Sequence, residues 1–199
     1  MRRLINTIVF VTLALVSTPS FSYNSDPKTF INELVNDAIT TLSNKNISKK
    51  DKKKKIETIA AQNVDIKALG KYTLGGIRNT LDQTTLQKYE NLFEKYFLKN
   101  LTSRLTDYSS QKFEVVGAEQ KSETYTIVSS KIVESPSGPE IKINWRVYTK
   151  DPAKPLIRDL IVEGLSLAKT QREEFASILN SNNNDINILL AKLEEFIKN

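Results

Sequence analysis

The sequence predicts an α+β fold: an antiparallel sheet of about four strands, set between helical segments at both ends of the chain. Two patterns carry this. Apolar residues recur at helical spacing up to about residue 108 and again from about residue 167, while the stretch between them alternates apolar and polar residues. The alternating runs follow one another through short turns, which makes an antiparallel meander rather than an alternating α/β array. A third observation bounds the size. The chain has 199 residues, 39% of them apolar, enough for one ordinary core, and it holds no internal repeat or dividing linker.

Residues 1–22 stand apart. Arg2 and Arg3 precede an apolar stretch from Leu4 to Val16, and Ser20-Phe21-Ser22 places small residues at −3 and −1 before Tyr23. That is the layout of a secretory signal peptide. The apolar run is shorter than the roughly 20 residues of a membrane-spanning helix, and no later segment is long and apolar enough to span. The expectation is a signal peptide at 1–22 and a single exported, soluble, monomeric domain at 23–199.

Each element has its own signal. Asp26-Pro27 is a helix start, with a capping carboxylate before a proline in the first turn. Phe30, Ile31, Leu34, Val35, Ala38, Ile39 and Leu42 then follow at helical spacing. Ser48 with Asp51 three residues on makes a variant capping box. The helix it opens carries Lys49, Lys50 and Lys52 to Lys55, a run whose plain reading is a solvated helix face. Residues 65–74 read as one or two short helices ended by Gly75-Gly76. The strongest helical signal runs from about Asp82 to Tyr108, with Leu86, Tyr89, Leu92, Phe93, Tyr96, Phe97, Leu101, Leu105 and Tyr108 on one broad face. At about 25 residues it is some 37 Å long, enough to cover a whole sheet.

Four strands are expected, over 113–118, 123–133, 140–149 and 156–162. Pro136 to Pro139 and Asp151 to Pro155 make turns. The third strand alternates cleanly: Ile141, Ile143, Trp145 and Val147 face one way, Lys142, Asn144, Arg146 and Tyr148 the other. One sheet face is thus expected to pack on helices and the other to meet water. Two helices close the chain, over about 167–179 and from near Asp185.

Composition excludes several chemistries. There is no Cys and no His, which removes thiol and Ser-His-Asp catalysis, disulfides and the commonest metal ligands. No carboxylate pair stands out, and no metal or cofactor is expected. The formal charge of +6 falls to +4 without Arg2 and Arg3. That excess suits loose attraction to anionic membrane surfaces. Export and scattered aromatics weigh against nucleic acid.

Several stretches together resemble a known family. They are Leu69-Gly70-Lys71-Tyr72-Thr73-Leu74-Gly75, the aromatic helix ending Arg104-Leu105-Thr106-Asp107-Tyr108, Phe113-Glu114-Val115, and Ile143-Asn144-Trp145-Arg146-Val147. The most specific block is Ile161-Val162-Glu163-Gly164-Leu165-Ser166-Leu167 followed by Thr170-Gln171-Arg172-Glu173-Glu174-Phe175. This is similar to the MlaC, or toluene-tolerance auxiliary, family over residues 30–197. Lysine runs stand where that family has Arg or Gln in surface helices, and the turns are shorter.

The resemblance implies a periplasmic phospholipid carrier. Its partners would be an inner-membrane MCE-domain protein of an ABC transporter and an outer-membrane lipoprotein–porin complex. The implied fold is a twisted antiparallel sheet with helices wrapped on one face, the acyl chains lying in an apolar pocket between them. The expected lining is Tyr72, Leu74, Ile77, Phe93, Phe97, Leu101, Tyr108, Val115, Ile127, Ile143, Trp145, Val147 and Ile161, with some of these serving as ordinary core. Arg146 is expected to pair with an acidic strand end, and Arg172 with Glu163 or Asp159. Two other classes remain open: a small hydrolase or isomerase using Tyr72, Tyr108 or Asp107, and a non-lipid adaptor with a solid core.

Overall fold

The computed structural model describes residues 23–105, 112–133 and 139–199. The expected signal peptide, Tyr108 and most of the Pro136 turn lie outside them. Three helices open the described chain: α1 Pro27–Ser43, α2 Lys49–Asn63 and α3 Ile66–Leu74. α1 and α2 start where their caps predict, and α3 is capped by Asp65. Asp26 accepts from the amide of Thr29 at 2.8 Å, Ser48 from that of Asp51 at 3.1 Å, and Asp65 from that of Ala68 at 3.2 Å. Gly75, with φ +62°, ends α3 in a conformation that favours glycine. A 3-10 turn over Gly75–Asn79 leads to α4, Gln83–Leu105, where Asp82 accepts from Thr85.

The sheet follows: β1 Lys112–Ser122, β2 Tyr125–Val133, β3 Glu140–Tyr148, β4 Leu156–Val162 and β5 Leu165–Ser166. Its order is β1-β2-β3-β4-β5, antiparallel throughout. The fifth strand, two residues long, is not legible in the sequence, and β1 runs four residues past its expected end. The chain finishes with α5 Leu167–Asn180 and α6 Ile186–Lys198.

Two buried cores organise the packing. In the sheet core, Phe30, Ile31 and Leu34 of α1 press on Val128, Val147 and Ile157. In the helical core, Ile66, Leu74, Tyr89, Phe93, Phe175, Leu179, Leu189, Leu190 and Leu193 join α3 to α6. Among the described residues, only Val64 borders both. The long helix therefore does not roof the sheet as its length suggests. α4 packs chiefly on α2, α3 and α6, while α1, α3 and α5 reach the strands. An aromatic stripe states that a face is buried but not against what.

A clamp joins the two layers at the free edge of β4. Val64 pairs in parallel with Ile157, and Asp65 N–H donates to the Ile157 carbonyl at 2.9 Å. The Arg158 guanidinium donates to Asp65 at 2.7 and 2.8 Å and to the Tyr125 hydroxyl at 3.0 Å, and lies 3.4 Å over the Tyr148 ring. Backbone pairing here hides an edge that would otherwise recruit another chain.

Candidate functional site

Register fixes which side chains share the inner, helix-covered face. Trp145 stands opposite Val128 and Leu160, Ile143 opposite Ser130 and Val162, and Ile141 opposite Ile132. Burial is graded along β3. Val147 is fully enclosed, whereas Trp145, Ile143 and Ile141 are partly exposed. Five apolar side chains of this face, Ile132, Ile141, Ile143, Leu160 and Val162, belong to neither core. All five are partly buried. Leu101 in the last two turns of α4 is likewise partly buried and outside both cores.

The polar groups of this surface are satisfied from within. The indole N–H of Trp145 donates to Ser130 Oγ at 2.8 Å, and that hydroxyl donates to the Ile143 carbonyl at 3.1 Å. Phe113 meets the Trp145 ring edge-on at 6.3 Å. None of the inner-face residues from Ile132 to Val162 named above is titratable, so these side chains offer hydrocarbon contact.

The expected lining residues separate into groups. Trp145 and Val115 lie at the margin of the sheet core, Ile143 and Leu101 outside both cores, and Phe97 beside the helical core. Leu74, Phe93 and Val147 are 3%, 2% and 0% exposed and are solid core. Phe93 stacks on Tyr89 and Phe97 and meets Phe175 edge-on. Ile127 and Ile161 are on the other side of the sheet: they pair with Arg146 and Asn144, whose side chains alternate with that of Trp145. Tyr108 lies outside the described residues.

Tyr72 is 40% exposed and carries the Arg172 guanidinium 5.0 Å over its ring. Arg172 thus stacks between α3 and α5 instead of pairing with Glu163 or Asp159. Asp159, 6% exposed, instead accepts from Ser166 Oγ at 2.6 Å and from the Ala168 amide at 3.0 Å, anchoring the start of α5 to β4. Sequence reading misses this role, because only the fold brings residue 159 beside the cap of a helix seven residues on. Arg146 forms no ion pair among the described residues.

Ile77 is partly buried and lines a small cleft with Thr73, Leu74, Gly75, Arg172 and Leu179, about 170 Å³ in volume. Ligand pockets usually measure about 300–1,000 Å³, so this cleft is too small for two acyl chains. Among the described residues no cluster of His, Cys, Asp or Glu is placed to hold a metal ion, and no helix is long and apolar enough to cross a membrane.

Burial raises the titration of two tyrosines. Tyr89, with its hydroxyl 2.8 Å from Thr73 Oγ1 and 3.2 Å from the Gly70 carbonyl, titrates well above its ordinary range, chiefly through desolvation. Tyr96, which donates to Gln171 at 2.8 Å, is raised for the same reason. Neither is suited to act as a base at neutral pH.

Comparison with known proteins fits this architecture. The model of the family described as MlaC protein matches residues 32–195. A phospholipid-binding protein from Ralstonia solanacearum, solved in complex with a phospholipid, superposes with a TM-score of 0.70. It is 17% identical, and the match covers 88% of this chain and 97% of that one. At that identity the likeness carries the fold. No curated protein matches the chain in sequence.

Proposed function

Because the chain belongs to the MlaC protein family, we propose that it is a phospholipid carrier of the periplasm and not an enzyme. In this reading it is exported by residues 1–22 and works as a monomer with no cofactor. It passes lipid between an inner-membrane ABC-transporter complex with an MCE-domain protein and an outer-membrane lipoprotein–porin complex. The relative from Ralstonia solanacearum, whose fold this chain shares, is described as holding a phospholipid.

The observation that carries the proposal is the set of inner-face residues, Ile132, Ile141, Ile143, Leu160 and Val162, that neither core encloses. Acyl chains lying there would complete the burial of these half-buried side chains.

Energetics set what such a carrier must do. Leaving about 28 methylenes bare in water costs about 20 kcal/mol at 0.8 kcal/mol per methylene. A shuttle must offset most of that without outbidding the membrane, or it would never unload. An apolar surface with satisfied polar groups and no titratable side chain meets both conditions.

The test is transfer of a labelled phospholipid from donor to acceptor vesicles. Transfer that rises with protein concentration and leaves the lipid intact supports the carrier. Hydrolysis of the lipid, or no transfer above the vesicle-only rate, contradicts it.

A further inference from the structure

The first seven residues of α2 include Lys49, Lys50, Lys52, Lys53, Lys54 and Lys55. Helix physics runs against this placement. The N-terminal end of a helix carries partial positive charge, so cations are unfavourable there and favourable at the far end. Yet the last turn of α2 holds no basic residue, and Glu57 lies in its second half. Like charges three and four residues apart, such as Lys49–Lys52 and Lys50–Lys54, also repel. Asp51, the acidic residue of the first turn, already receives the Ser48 hydroxyl at 2.6 Å.

The fold itself uses few of these cations. Lys52 turns inward, and its ammonium donates to the Leu42 carbonyl at the end of α1. Lys53 reaches Glu57 at 3.9 Å. Lys49, Lys50, Lys54 and Lys55 are exposed and join no ion pair among the described residues. Buried Ile56, Ala60 and Asn63 fix α2 against the rest of the protein; Lys50, Lys54 and Lys55 point away from that buried side and are displayed outward on a fixed support.

We infer that the outward face of α2 is a contact surface for an anionic phospholipid membrane. The chemistry of the patch selects that partner. It has no Tyr, Trp or Arg, the residues that anchor protein interfaces, and no aromatic on which a nucleic-acid base would stack. Lysine is a compact, hydrated point charge on a flexible stem. It suits a diffuse layer of anionic headgroups, where each cation adds attraction without fixed geometry. Neutralisation by that layer also relieves the repulsion that the free helix bears.

The inference goes beyond lipid carriage and does not rest on it. The purified chain is sedimented with vesicles of phosphatidylcholine alone and of phosphatidylcholine with phosphatidylglycerol. The expected result is binding to the anionic vesicles only, abolished by high salt. It should weaken about ten-fold or more in the K49Q/K50Q/K54Q/K55Q variant. That variant should melt no lower than the parent, because it loses repulsion and no buried contact. Lipid content of both proteins, measured alongside, should be equal, and an empty protein would leave the vesicle result readable. Equal binding by parent and variant, equal binding to neutral vesicles, or binding to a soluble polyanion but not to anionic vesicles would each overturn the assignment.

Discussion

The indole N–H of Trp145 donates to the hydroxyl of Ser130 at 2.8 Å, across the ladder between β2 and β3. Ser130 sits diagonal to Trp145 and directly opposite Ile143, whose carbonyl takes its hydroxyl proton at 3.1 Å. The one polar atom of the Trp145 side chain is thereby consumed within the sheet, and the ring presents hydrocarbon to the inner face.

Ser130→Ala leaves that N–H without its partner. The expected loss is about 1 kcal/mol of stability, read as a lower midpoint in urea unfolding. Indole fluorescence should shift as the N–H turns to water.

Ile143 and Val147 lie on one face of one strand but should respond differently. Ile143 is outside both cores, so Ile143→Asp should cost little stability while sharply reducing co-purified lipid. Val147 is 0% exposed within the sheet core, and Val147→Asp should unfold the protein, since an unpaired buried carboxylate is very costly. Thermal melts and lipid extraction of the two variants separate the effects.

Gly70 sets the spacing of α3 and α4. A Cβ there would lie 2.9 Å from Cδ1 of Phe93, itself fixed among Tyr89, Phe97 and Phe175. Gly70→Ala is expected to destabilise by about 1–3 kcal/mol through overpacking, visible as a drop in melting temperature.

Asp26 links stability to pH. Hydrogen bonding from the Thr29 amide, and then from its hydroxyl, holds the carboxyl below its ordinary 3.8. A depressed carboxyl stabilises above its unfolded pKa, and the contribution is lost as pH falls through the folded value. Asp26→Asn keeps a capping oxygen but cannot titrate. The difference in melting temperature between the two proteins should therefore be constant near neutrality and change only below about pH 4.

The helices and the sheet are largely legible because their signals are local. Asp26 and Ser48 each cap the helix that their spacing announces, the helices that start after Asp65 and Asp82 are announced by their apolar pattern, and the alternation of β3 assigns Trp145 to the inner face. The candidate site is less legible because it depends on register and on partners. Ile127 reads as lining until pairing with Arg146 puts it on the outer face. The shifts in the ladders at Val115/Gly117 and at Arg146/Val147 change alternation where the sequence shows no break. Phe93 reads as a wall of the pocket because the pattern of α4 does not say that Phe175 fills the space beside it. Arg172 offers a charge, and only the fold reveals that its partner is the Tyr72 ring.

The most direct test of the carrier account is the lipid content of the native protein. Purified from its own cells without detergent, extracted into organic solvent and analysed by mass spectrometry, the protein is expected to yield intact phospholipid near one molecule per chain. The Ile143→Asp variant should yield far less. A parent protein that is folded, free of phospholipid and unable to take it up from vesicles would contradict the account.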